Sequence, residues 1–150
     1  DKKLKFAKKL GATETINPNK SNLLDKINFL TQKQGLDACI EAAGLTETIE
    51  LGFSLLNKNK GKLIFASHPD RRKKISIDPF ELISGKSIKG SWGGSIKPDR
   101  DIQRINTIVT NNKISINKMI SKVYSLNEIN KAILDMKKGR VFRPIIKMKH

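Results

Sequence analysis

The sequence predicts an α/β protein, a parallel sheet with helices on its faces, and three observations carry that prediction. Strand-like and helix-like patterns alternate along residues 2–67. The runs Leu36–Ala42 and Lys62–Ser67 are short and mostly apolar, as strands buried on both faces are. Between them, Ile49, Gly52, Phe53 and Leu56 fall at i, i+3, i+4 and i+7, the spacing of one buried helix face.

Each element follows from local signals. Residues 2–10 place Leu4, Phe6, Ala7 and Leu10 roughly on one side, and Gly11 stops that helix. Glu14–Asn17 reads as a short extended piece ended by Pro18, and residues 21–31 carry Leu23, Leu24, Ile27 and Leu30 at helical spacing. Gly35 precedes the first buried strand and Gly61 opens the second. The amphipathic helix over 46–57 lies between those strands. Farther on, Ile75–Asp78 reads as a strand ended by Pro79, Phe80–Ser84 as a helical turn stopped by Gly85, and Ser87–Trp92 as a strand closed by Gly93-Gly94. Residues 99–111 set Ile102, Ile105 and Val109 on a helix, and Ile116–Ile120 forms a short one. Ser125 with Glu128 is a capping box, opening a helix that runs to Gly139 with Ile129, Ala132, Ile133 and Met136 on one face. Val141–Met148 is a last strand, placed at an edge or beside a bulge by Pro144.

Composition narrows the function. The chain has 150 residues, enough for a real core, and no apolar run reaches the roughly 20 residues that span a bilayer. It opens on Asp1 rather than Met, without a signal-peptide pattern, so the expectation is that residues precede it. Cys39 is the only cysteine, which rules out an internal disulfide and is compatible with a cytoplasmic protein. With His68 and His150 as the only histidines, a four-ligand structural zinc site of soft donors is excluded. The net charge of +16 raises the question of nucleic acid. The basic residues are scattered, only Arg71-Arg72-Lys73-Lys74 clusters, and Trp92 and Tyr124 are the only aromatics with a polar, stacking-type face. No zinc-finger, RNP or helix-turn-helix pattern accompanies them, so the charge reads as a solvated Lys-rich surface without a specific nucleic-acid site.

Ligands in open α/β sheets bind beyond the carboxyl ends of the strands. Here those ends are Glu41-Ala42-Ala43-Gly44, Ala66-Ser67-His68-Pro69 and Ser91-Trp92-Gly93-Gly94. All are small-residue turns, which admit a ligand close to the backbone and equally serve as ordinary turns. The chain has no G-x-G-x-x-G, no P-loop and no nucleophile elbow. His68 alone at a strand end lacks a partner in the sequence pattern, Cys39 reads as core, and Arg143 reads either as a snorkelling cation or as a phosphate clamp.

An ordered set of motifs then carries a resemblance. Phe6-Ala7-Lys8-Lys9-Leu10-Gly11-Ala12-Thr13 with Ile16-Asn17-Pro18, Gly35-Leu36-Asp37 to Gly44, and Gly61 to Phe65 follow one another. After them come Lys89-Gly90-Ser91-Trp92-Gly93-Gly94, Tyr124-Ser125-Leu126 with Ile129 to Ala132, and Gly139 with Arg143. Together they resemble, in order and along essentially the whole chain, the C-terminal part of the medium-chain dehydrogenase/reductase family. The resemblance is to its zinc-dependent alcohol dehydrogenases. It implies part of a Rossmann-like doubly wound sheet over residues 1–91, then a return over 92–150 to a GroES-like catalytic domain. It also implies NAD or NADP as cofactor, with NAD favoured, a small alcohol or aldehyde substrate, and a homodimer or homotetramer.

Carried over residue by residue, Ala42, Ala43 and Leu45 match positions bordering the adenosine half of the cofactor. Ala66, Ser67 and His68 match the stretch along the nicotinamide. Ser91 and Trp92 match the stretch that meets the carboxamide, Arg143 an arginine on the pyrophosphate, and Lys3 a basic residue near the adenine ribose. The family usually has glycine at Ala66 and in some members arginine at Leu45. The resemblance places the catalytic zinc ligands, the structural-zinc cysteines and the Gly-rich loop upstream, so no catalytic or metal-binding residue is assigned here. It implies that strands equivalent to Ile75–Asp78 and Ser87–Trp92 meet their counterparts across a dimer axis. The alternatives are a zinc-free quinone or enoyl reductase of the same superfamily and a non-catalytic basic binding module.

Overall fold

The computed structural model describes residues 2–111 and 116–148, and His150 lies outside them. Two compact units emerge, Asp1–Ser95 and Ile96–His150. In the first, helices α1 (Lys2–Lys9) and α2 (Leu23–Leu30) precede the alternating stretch. The Asn22 side chain caps α2 by accepting from the Leu24 and Asp25 amides at 3.0 and 3.3 Å. Then come β1 (Ala38–Glu41), α3 (Thr46–Ser54), β2 (Lys62–Phe65), α4 (Pro79–Ile83) and β3 (Ser87–Gly90). The three strands form one parallel sheet in the order β1-β2-β3.

The core of this unit is the helix face that the spacing predicts. Ile49, Phe53 and Leu56, with Leu63 of β2, are its buried apolar side chains. Leu36, Cys39, Phe65, Ile77 and Ile88 pack around them. Gly52 is what lets α3 lie close to the sheet. A Cβ built there would stand 3.1 Å from the Cys39 sulfur and 3.2 Å from Leu63 Cδ1. Lys86 is buried where it closes α3: its ammonium donates to the Phe53 carbonyl at 3.1 Å and to Glu81 at 2.6 Å. Because the charge is both paired and hydrogen-bonded, its burial is tolerated.

Two expected strands are absent. Glu14–Asn17 joins no ladder among the described residues and runs directly into a turn, where the Asn17 carbonyl accepts from the Lys20 and Ser21 amides. Ile75–Asp78 forms no strand either. Its backbone is committed elsewhere: the Ser76 amide donates to Glu50 at 2.7 Å, and the Asp78 carbonyl accepts from the Glu81 amide at 3.2 Å, while the Asp78 side chain caps α4 by accepting from the Phe80 amide at 2.8 Å.

The second unit holds α5 (Pro98–Asn111), a 3₁₀ turn at Ile116–Met119, β4 (Lys122–Ser125), α6 (Ile129–Lys137) and β5 (Pro144–Lys147). The capping box forms as predicted, with Ser125 and Glu128 bonded reciprocally, although the first turn after it is 3₁₀. β4 was not foreseen. It pairs in parallel with β5, and Pro144 opens that strand opposite Lys122. The buried face of α6 is rotated from the expected one. Ala132 and Asp135 are inside, whereas Ile129, Ile133 and Met136 stay exposed. Hydrogen bonding explains the rotation. Asp135 accepts from the buried Tyr124 hydroxyl at 2.8 Å and from Arg140 at 3.1 Å, so a carboxylate takes the inner position. Among the described residues no helix is long and apolar enough to cross a membrane.

The tight fit at Gly52 generates a prediction. Gly52→Val, which overfills the α3–sheet contact, should lower stability by about 1–3 kcal/mol in urea unfolding. An unchanged midpoint would mean that α3 does not sit against β1 and β2 in this way.

Candidate functional site

Parallel pairing brings the carboxyl ends of β1, β2 and β3 to one edge of the sheet. Glu41 lies beside Phe65, and Phe65 beside Gly90, so the three strands end in one row. The three small-residue turns leave from that row. Two grooves open there. The larger, of about 600 Å³, is lined by Phe65, Ser67, His68, Gly90, Ser91 and Trp92, with Arg71 at its margin. The smaller, of about 280 Å³, is lined by Gly44, Leu45, Thr46 and Lys73 among others. Pro69 borders both, so they meet at one residue. Within the lining of the larger groove Gly90 lies close against Phe65: a Cβ there would meet the Phe65 ring at 3.0 Å.

Two aromatic rings form one wall of that groove. His68 and Trp92 meet edge to face, with centroids 4.6 Å apart and planes at 70°. Trp92 remains 83% exposed, so most of its indole is available to a flat ligand. Ser91 is fixed by its amide, which donates to the Phe65 carbonyl at 2.9 Å. The Ala66 amide donates to the Glu41 carbonyl at 2.9 Å, continuing the ladder one residue past β2.

Beneath the turns lies a buried carboxylate. Glu41 ends β1 with 5% of its surface exposed. Its Oε1 accepts from the Ala43 amide at 2.6 Å, the Gly44 amide at 2.9 Å and the Thr48 hydroxyl at 2.8 Å. Its Oε2 accepts from the Ser67 hydroxyl. Gly44 adopts φ +83°, a left-handed conformation that lets the two successive amides face one oxygen. Burial acts to raise the Glu41 pKa. The bonds from Ser67, Thr48, Gly44 and Ala43 outweigh it and hold the carboxyl below its ordinary range. The ionised neighbour has a consequence on the same strand: burial first, then the Glu41 charge, push the Cys39 thiol up, as befits an inert core cysteine.

The expected site residues therefore fall into groups. Ser67, His68, Ser91 and Trp92 line the larger groove, and Leu45 the smaller. Ala42, Ala43 and Ala66 occupy the turns beside them. Lys3 stands on α1 and lines neither groove. Arg143 belongs to the second unit, where its amide donates to the Ser121 hydroxyl at 3.1 Å. Glu41, Phe65 and Arg71 were not singled out from the sequence. An acidic residue closing an apolar strand was the signal for Glu41, since a buried carboxylate must find donors.

The family model for zinc-binding dehydrogenases matches residues 1–111. The chain belongs to that family. An alcohol dehydrogenase from Malus domestica is 30% identical over 144 residues, covering 95% of this chain and 38% of its own length. Among solved structures, benzyl alcohol dehydrogenase from Acinetobacter calcoaceticus superposes with a TM-score of 0.89 at 30% identity. It covers 99% of this chain and 40% of its own. A zinc-binding dehydrogenase from Sinorhizobium meliloti, bound to NADP, gives a TM-score of 0.74 at 29% identity over 88% of this chain and 38% of its own. The chain thus spans about 38% of the length of the curated relatives it matches.

The family name raises the question of zinc, and the donors answer it. Among the described residues no group of three or more His, Cys, Asp or Glu side chains is placed to hold a metal ion. Cys39 is packed in the sheet, and His68 is set against Trp92. The described residues of this chain do not fit a zinc site. They do fit a flat, polar ligand: an exposed indole, small-residue turns and hydrogen-bonding side chains along one edge.

The lowered Glu41 pKa gives a pH prediction. An ionised carboxylate stabilises the fold above the ordinary carboxyl range, near pH ~4.3. That contribution is lost as the pH falls through the lowered folded value. Glu41→Gln should therefore lower the Tm at pH 7, and the gap to the parent should close as the pH falls below about 4. A gap that persists unchanged into acid would show that the charge at Glu41 is not what stabilises the turn.

Proposed function

We propose that this chain forms part of the cofactor wall of an NAD(P)-dependent alcohol dehydrogenase. One observation carries the reading: the turns after three parallel strands open into adjoining grooves at one sheet edge, and five of the expected contact residues line them. Ligands of α/β sheets bind at such an edge. In this reading Ala42, Ala43 and Leu45 border the adenosine half, while Ala66, Ser67 and His68 run along the nicotinamide. Ser91 and Trp92 face its carboxamide, Arg143 and Lys3 serve phosphate and ribose, and a bound nicotinamide supplies hydride chemistry.

The cofactor is NAD or NADP, with NAD favoured, and the substrate a small alcohol or aldehyde. The assembly is a homodimer or homotetramer, with Ser87–Trp92 near the contact between copies. Residues 1–91 belong to the dinucleotide-binding domain and 92–150 return to the catalytic domain. The separation of compact units after Ser95 supports a boundary close to there. The protein is cytoplasmic.

What these residues do is bind and orient. The indole of Trp92 offers a flat apolar face, and the turns keep side chains out of the ligand's way. Ser67 and the strand-end backbone supply hydrogen bonds. No residue of the described chain is assigned proton transfer or attack on substrate.

Trp92 is the only tryptophan, so its emission reports on this groove alone. Titration of the 150-residue chain with NADH should quench that emission and sensitise NADH fluorescence, and Trp92→Phe should abolish the transfer. Unchanged emission up to millimolar NADH would contradict the assignment. The same purified chain should oxidise no alcohol in the presence of NAD; turnover above the buffer rate would show catalytic residues that this reading leaves out.

A further inference from the structure

Ser67, in the loop after β2, and Glu41, at the end of β1, lie 26 residues apart in sequence, yet the hydroxyl of one donates to the carboxylate of the other. A serine hydroxyl has a single proton and two lone pairs. Bonding to an ionised acceptor is stronger than bonding to a neutral one, so that proton is committed. Ser67 also lines the larger groove. What it can offer a ligand there is acceptance alone.

Glu41 does more than hold Ser67. The same carboxylate accepts from Ala43, Gly44 and Thr48 through its other oxygen. One side chain thus ties the end of β1, the first turn of α3 and the loop after β2. It also satisfies the Ala43 and Gly44 amides ahead of α3, whose N-cap, Leu45, has no side-chain bond of its own. Those amides are thereby engaged by the chain itself and are withheld from any ligand phosphate.

We infer that Glu41 is a positioning residue that fixes the Ser67 hydroxyl as a hydrogen-bond acceptor for a ligand hydroxyl, such as that of a ribose, in the groove beside Trp92. The inference rests on the dinucleotide reading and deepens it. Selectivity follows from the chemistry. A donor-bearing ligand group satisfies Ser67, whereas a phosphate or carboxylate oxygen placed there meets only lone pairs and, behind them, a negative charge.

The test is NADH binding to the 150-residue chain, read by Trp92 emission, for the parent and four variants. Ser67→Ala should weaken binding about tenfold, the weight of one hydrogen bond to a ligand. Ser67→Thr, which keeps the hydroxyl, should restore most of it. Glu41→Gln should weaken binding by a similar factor, and the Glu41→Gln/Ser67→Ala pair should lose little more than either alone, because one hydroxyl carries both effects. If Glu41→Gln fails to fold, Ser67→Ala and Ser67→Thr still decide whether the hydroxyl is used. Parent-level affinity in Ser67→Ala, or fully additive losses in the pair, would overturn the inference while leaving the dinucleotide site in place. Absence of NADH binding by the parent chain would overturn the reading beneath it as well.

Discussion

Burying a carboxylate obliges a protein to surround it with donors, and the working end of this sheet is organised by that obligation. Glu41 draws two backbone amides, a threonine hydroxyl and a serine hydroxyl onto its two oxygens. Those donors come from three places: the turn after β1, the first turn of α3, and the loop after β2. Meeting the demand of one charge therefore sets the relative positions of two of the turns that line the grooves. Leaving such a group unsatisfied costs more than the net gain of a single bond, so these segments are coupled through the one carboxylate.

Packing holds the other side of the same sheet. Ile49 and Phe53 lay one face of α3 against Leu63, Leu56 just past the helix end joins the same cluster, and Gly52 permits the close approach. The sheet is thus clamped from below by apolar contact and pinned at its carboxyl edge by hydrogen bonds. A rigid scaffold with groove-lining turns results, and orientation of any bound ligand depends on such rigidity. The second unit repeats the logic on a smaller scale, with Tyr124 and Arg140 satisfying Asp135 inside α6.

Much of this was legible in the sequence, for physical reasons. The buried face of α3 could be read to the residue, because apolar spacing at a helical period has one interpretation when strands flank it. The capping box at Ser125 was equally readable, since its two bonds are local. The failures share a cause. Ile75–Asp78 carries a strand-like pattern, but the Ser76 amide is claimed by Glu50 and the Asp78 side chain caps α4, and only the fold reveals those claims. β4 was missed because Lys122–Ser125 is short and contains one buried side chain, Tyr124. The face of α6 was misjudged by assuming that apolar residues go inside, whereas a bonded Asp135 displaced them. At the candidate site the turn residues were legible as strand ends, but the bond between Glu41 and Ser67 links positions that no local pattern connects.

The account depends on a ligand settling at the carboxyl edge of β1, β2 and β3, and amide-resolved NMR tests that most directly. Addition of NAD to the isotope-labelled chain should shift the amide signals of Ala43, Gly44, Leu45, Ser67, His68, Ser91 and Trp92, leaving those along α2 in place. Shifts confined to the second unit, around Tyr124 and Leu126, or no shifts at saturating NAD, would contradict the assignment of this edge as the cofactor wall.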